Sequence, residues 1–97
     1  MFDKVKQLMD MKKQADQIKR ELDASVIEAN EVRGIKVFIN GSQEVKAIEI
    51  DGSLVKAENK AMLERDLLRS LNAAIKKSQS LAAQKMKELM PGLPGLS

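Results

Sequence analysis

From Lys60 to Met90 the chain runs on without a glycine or proline, and Leu67, Leu68, Leu71, Ala74, Ile75, Leu81, Ala82, Met86 and Leu89 form a wide apolar band at helical spacing. A helix of that length, about 31 residues, spans roughly 46 Å, whereas a compact chain of about 100 residues has a radius of gyration of about 13 Å. One helix therefore overshoots any globule that 97 residues can build. The projecting part must bury its band against another helix, a second copy of the chain, or both, so a homodimer with helical arms is expected. Pro91 and Gly92 stop the helix, which gives a single domain over residues 1–90 and a flexible Pro/Gly-rich tail over 91–97.

Upstream, the apolar period changes twice. Leu8, Met11, Ala15, Ile18 and Leu22 recur at spacings of three and four, which predicts an amphipathic helix from Phe2 to about Ala24 with a coiled-coil-like seam. After Ser25 come three runs rich in β-branched residues: VIEANEV from Val26, IKVFI from Ile35 and EVKAIEI from Glu44. Gly34 separates the first two and Asn40-Gly41-Ser42-Gln43 the second two, the turn chemistry of an antiparallel meander. Ile35, Val37 and Ile39 share one face of the middle strand, with Lys36 and Phe38 on the other. Asp51-Gly52-Ser53 ends the sheet, and Asn59 is the expected N-cap of the last helix. Glu64 and Asp66 near that helix's start and Lys85 and Lys87 near its end suit the helix dipole. The fold class is α+β: long N-terminal helix, three-stranded antiparallel sheet, long C-terminal helix. Leu8, Met11, Ile18, Leu22, Val37, Ile39, Ile48, Leu68, Leu71 and Ile75 are the expected core or dimer packing residues, and the helical methionines fill the same seams.

Charge is distributed unevenly along this framework. The formal net charge is +3, but residues 25–58 carry four basic and six acidic side chains while 59–97 carry seven basic and three acidic. On the last helix Arg65, Arg69, Lys76 and Lys87 fall within about 40° of arc, opposite the apolar band. No acidic residue lies between Asp66 and Glu88. From Arg65 to Lys87 is about 33 Å of helix, close to one turn of B-DNA at about 34 Å. A polyanion site is the functional reading; an ordinary solvated helix face is the competing one. The first helix has its own row, Lys6, Lys13 and Arg20, every seven residues, but Asp3, Asp10 and Asp16 interleave and Asp16 can pair with Arg20. Lys85 points nearer the apolar band and reads as a snorkelling rim residue.

With no Trp, no Tyr and only Phe2 and Phe38, the chain has no platform for stacking unpaired bases, so duplex phosphates are the better target. Arg65 and Arg69 are the candidates for any base-edge contact, because a guanidinium fork matches guanine. Cysteine and histidine are both absent, which removes disulfides, thiolate chemistry, His-dependent triads and the usual zinc ligands. No enzyme activity, cofactor, metal or small-molecule substrate is expected. The opening MFDKVKQLMD is charged throughout and has no signal-peptide core, and no run approaches the roughly 20 apolar residues of a membrane span.

The segment GIKVFINGSQEVKAIEID from Gly34 to Asp51, the run KAMLERDL from Lys60 to Leu67 and the terminal MPGLPGL together resemble the YbaB/EbfC family of small bacterial nucleoid-associated proteins, over essentially the whole chain. The resemblance implies a tweezers-shaped homodimer whose protruding helices grip double-stranded DNA, roles in nucleoid organisation and gene regulation, and a cytoplasmic, nucleoid location. In the family the DNA contacts are attributed to the helical arms, so the residues named here rest on charge. Some relatives begin with a Gly-rich leader that this sequence lacks, and any contact made by such a leader is not carried over. The alternative is a prefoldin-like coiled-coil chaperone or adaptor, also helix, hairpin, helix, which requires two strands and an apolar groove at the helix tips.

Overall fold

A computed structural model of the protein describes residues 2–89. Helix α1 (Phe2–Ala24) leads into strands β1 (Val26–Ala29), β2 (Ile35–Asn40) and β3 (Val45–Ile50). Two 3₁₀ turns, Gly52–Leu54 and Ala57–Asn59, then deliver the chain into α2 (Lys60–Leu89). The strands form one antiparallel sheet in the order β1-β2-β3, as the turn chemistry predicts. The expected last helical residue Met90 and the tail over 91–97 lie outside the described residues.

Burial follows the alternation of β2. Ile35, Val37 and Ile39 are fully buried with Ala29 and Ala74, and Leu54, Leu63, Leu67, Leu71, Ile75, Ile27 and Val32 pack around them. Lys36 stands on the solvent face, 3.9 Å from Glu28. Strand β1 is shorter than VIEANEV, because the chain leaves the sheet after Ala29 and turns through Gly34 at φ 91. Val32 then contributes to the core from the connection. Strand β3 contains a bulge: Phe38 pairs with Ala47 but Ile39 with Val45, so Lys46 is the extra residue. The bulge puts Val45 on the same face as Ile48 and Ile50, where strict alternation would put Lys46.

The most deeply buried residues of α2 are a row of small side chains, with Leu63, Leu67 and Leu71 partly buried around them. Ser70, Ala74 and Ser78, spaced by four, are all fully buried, and these small side chains let the helix backbone approach the sheet closely. The Ser70 hydroxyl donates to the Asp66 carbonyl one turn back. The Ser78 hydroxyl leaves its helix and donates to the Asn40 carbonyl.

Several local expectations change. Asn59 does not cap α2; it closes the second 3₁₀ turn by donating its backbone N–H to the Lys56 carbonyl, and the chain enters the α-helix directly from there. The first turn of α2 holds no acidic residue, and Glu64 instead ties back to Lys60 at 3.3 Å. On α1 the ion pair formed is Lys19 with Asp23, not Asp16 with Arg20. Gly41, at the β2–β3 turn, has an ordinary φ; the positive φ falls on Gln43. Gly41 is needed for proximity, since a Cβ there would lie 2.7 Å from Leu22 Cδ2 and 3.2 Å from Leu22 Cα.

The chain measures 67 × 22 × 17 Å with a radius of gyration of 18.5 Å. Gly41 donates its N–H to the Leu22 carbonyl, so the end of α1 is level with the turn that Ser78 holds. From that level α1 extends about 30 Å toward its start and α2 about 16 Å toward its end. The 67 Å length requires the two to project the same way, so α1 outruns α2.

Candidate nucleic-acid interface

With Ser70, Ala74 and Ser78 pinned on the sheet, the opposite side of α2 faces solvent, and Arg65, Arg69, Lys76 and Lys87 are all exposed there. Among the described residues, Arg65, Lys76 and Lys87 have no ion-pair partner; Arg69 has one, with its Nη2 3.4 Å from Glu31 Oε1. That pair qualifies the stripe read from the helix alone, because the carboxylate arrives from the β1–β2 connection, 38 residues away in sequence. Lys85 is half-buried, as befits a rim position.

A further cation joins the group. Lys77 lies about 100° around the helix from Lys76, so periodicity assigns it to neither the basic stripe nor the core. It lines two open clefts beside the sheet. One of about 580 Å³ is formed with Ile27, Glu28, Lys76, Ser80, Leu81 and Gln84, and one of about 440 Å³ with Glu31, Arg69, Asn72, Ala73 and Lys76. The basic surface therefore extends from the outer face of α2 around to Lys77, where Glu28 and Glu31 line the opposite side of the clefts. The neighbourhood of Lys76 and Lys77 was the usable signal.

On α1, Lys6, Lys13 and Arg20 are exposed, with Lys6 on the stretch that outruns α2 and Lys13 alongside the end of α2. The two helices thus carry cations along one elongated arm, and the charges are not gathered into a pocket. Such a surface suits an extended polyanion better than a small anion.

The packing residues divide into two groups. Ile18, Val37 and Ile39 are buried, and Leu22, Leu71 and Ile75 are partly buried. Leu8, Met11, Ile48 and Leu68 stay exposed in the single chain, so no intramolecular core role is fulfilled by them. The clefts place Ile27 and Glu28 of β1 beside Lys77 and Gln84 of α2, and Glu31 of the β1–β2 connection beside Ala73, so the flank bearing Leu68, Leu71 and Ile75 lies toward β3. There the inner face of β3 presents Val45 and Ile48, each more than two-fifths exposed.

Residues 1–93 match the model of the YbaB/EbfC DNA-binding family. The chain belongs to that family. Relatives named nucleoid-associated protein include one from Chloroflexus aurantiacus, 37% identical over 87 residues, covering 89% of this chain and 87% of the relative. Another, from Syntrophobacter fumaroxidans, is 32% identical over 98 residues, covering 98% and 89%. A third, from Dictyoglomus thermophilum, is 30% identical over 94 residues, covering 96% and 90%. The YbaB/EbfC fold of this chain has three strands, which removes the two-stranded prefoldin-like arrangement. Among the described residues no group of three His, Cys, Asp or Glu could hold a metal, and no helix is long and apolar enough to cross a membrane.

Proposed function

We propose that this YbaB/EbfC protein binds double-stranded DNA as a homodimer, through the outward basic faces of its projecting helices, and serves nucleoid organisation and gene regulation from a nucleoid location. The observation that carries the reading is the orientation of α2: its small-residue row is buried in the sheet, so Arg65, Lys76 and Lys87 are held outward without ion-pair partners among the described residues. Cations fixed on a rigid helix neutralise phosphates and release their counterions, which gives affinity with little dependence on sequence. The relatives' shared name, nucleoid-associated protein, supports the same function.

Dimer formation is supported by the uncovered apolar flank. Leu68 on α2 and Val45 and Ile48 on β3 are large apolar side chains left exposed by the chain's own elements, and a second copy would supply matching apolar surface. Pairing would also double the number of basic arms. The test is a titration of a duplex, its scrambled counterpart and a single strand at two salt concentrations. Similar affinity for both duplexes, weaker single-strand binding and a steep loss with salt are expected. Salt-independent binding would overturn the proposal.

A further inference from the structure

We infer that Glu31 is a built-in competitor for nucleic-acid phosphate at Arg69, weakening that one position of the basic face while Arg65, Lys76 and Lys87 keep no ion-pair partner among the described residues. This rests on the duplex-binding reading above. Glu31 sits in the β1–β2 connection, and its Oε1 receives a single hydrogen bond from Arg69 Nη2 at 3.4 Å. Both side chains are exposed, at 45% for Glu31 and 65% for Arg69, so an incoming phosphate reaches the pair directly.

The contact is long and single-pronged. A phosphate offers Arg69 a shorter, forked, charge-assisted pair, so it displaces the carboxylate but must first work against it. Glu31 is also part of the cleft wall that includes Arg69, Asn72, Lys76 and Lys77, so a phosphate entering there meets a fixed negative charge even when Arg69 is free. Glu28, beside Lys76 and Lys77 in the neighbouring cleft, continues this acidic border along β1. Lys87, about 16 Å beyond Lys76 along the helix, lies past it. Carboxylate opposition is therefore concentrated at Arg69 and the two clefts, and Lys87 on the arm lies outside it.

A double-mutant cycle of Glu31→Gln and Arg69→Gln, read by fluorescence anisotropy with a random-sequence duplex at several salt concentrations, tests this. In the Arg69 background, Glu31→Gln should tighten binding about two- to five-fold, the size of effect that exposed ion pairs give, and steepen the salt slope by up to about one. In the Arg69→Gln background most of that gain should disappear. No gain, or an equal gain in both backgrounds, would overturn the competition at Arg69 while leaving duplex binding intact. Failure of the unmodified chain to bind duplex would overturn the duplex reading and the competitor with it. Matching thermal melts of the four proteins separate these outcomes from a folding effect.

Discussion

The Ser78 hydroxyl donates to the Asn40 carbonyl oxygen at 2.7 Å and receives the Gln43 N–H at 3.1 Å, so one fully buried side chain in the middle of α2 holds the β2–β3 turn. Asn40 completes the junction: its Oδ1 accepts the N–H groups of Ser42 and Glu44, and its Nδ2 donates to the Asp23 carbonyl and to Glu44 Oε1. Helix α1, the sheet and α2 are joined here, at the base from which the arm projects. No buried side-chain nitrogen or oxygen among the described residues lacks a partner.

Ser78→Ala removes the hydroxyl that bridges the Asn40 carbonyl and the Gln43 N–H, leaving only their direct 3.3 Å hydrogen bond, and should cost about 1 kcal/mol in urea denaturation. Ser70→Ala is the matched comparison. Ser70 is equally buried, but its hydroxyl only doubles a bond on the Asp66 carbonyl within the same helix, so its loss should fall within about 0.5 kcal/mol. Equal effects would contradict the junction role of Ser78.

Glycine substitutions should separate by cause. Gly41→Ala drives a Cβ into Leu22, including its backbone, and should destabilise by about 1–3 kcal/mol. Gly34→Ala must hold φ near +91 and displace Leu54 Cδ1 from 2.8 Å, at a cost of about 1–2 kcal/mol from the backbone alone. At Gly52 nothing lies within 4 Å of an added Cβ, so Gly52→Ala should leave the denaturation midpoint nearly unchanged.

Acid should loosen the same junction. The Ser42 hydroxyl donating to Asp23, helped by Lys19 Nζ at 3.1 Å, holds the Asp23 carboxyl below its ordinary value. Because the folded value is the lower one, this stabilisation is fully present above the unfolded value, about 3.9, and is lost as pH falls through the folded value. Asp23→Asn should therefore flatten the pH dependence of stability below about pH 4 and leave the slope at neutral pH unchanged. An unaltered acid limb would contradict this assignment.

Leu68→Glu and Ile48→Glu place charge on the uncovered flank and should convert dimers to folded monomers in sedimentation velocity, with helical circular dichroism retained. Unchanged sedimentation of both variants, or a monomeric parent chain, would contradict dimerisation through this flank.

Much of this architecture was legible because the periods are local. The apolar spacing on α1 and α2 and the alternation of Ile35, Val37 and Ile39 define elements whose partners scarcely matter. The bulge at Lys46 was not legible, since it depends on how β3 meets β2. Nor was the burial of Ser70 and Ser78, two hydroxyls in a row that hydropathy assigns to solvent; their spacing of four with Ala74 was the available sign. The stripe from Arg65 to Lys87 was read from one helix, whereas the Glu31 carboxylate reaches Arg69 only through the fold.

Duplex phosphates are proposed to meet the outward face of α2. The most direct test is the salt dependence of duplex affinity for the unmodified chain and for the triple variant Arg65→Glu, Arg69→Glu, Lys76→Glu. The triple variant should bind every duplex sequence more weakly and with a shallower salt slope, with sedimentation unchanged. Equal affinity and an equal slope in the two proteins would contradict it.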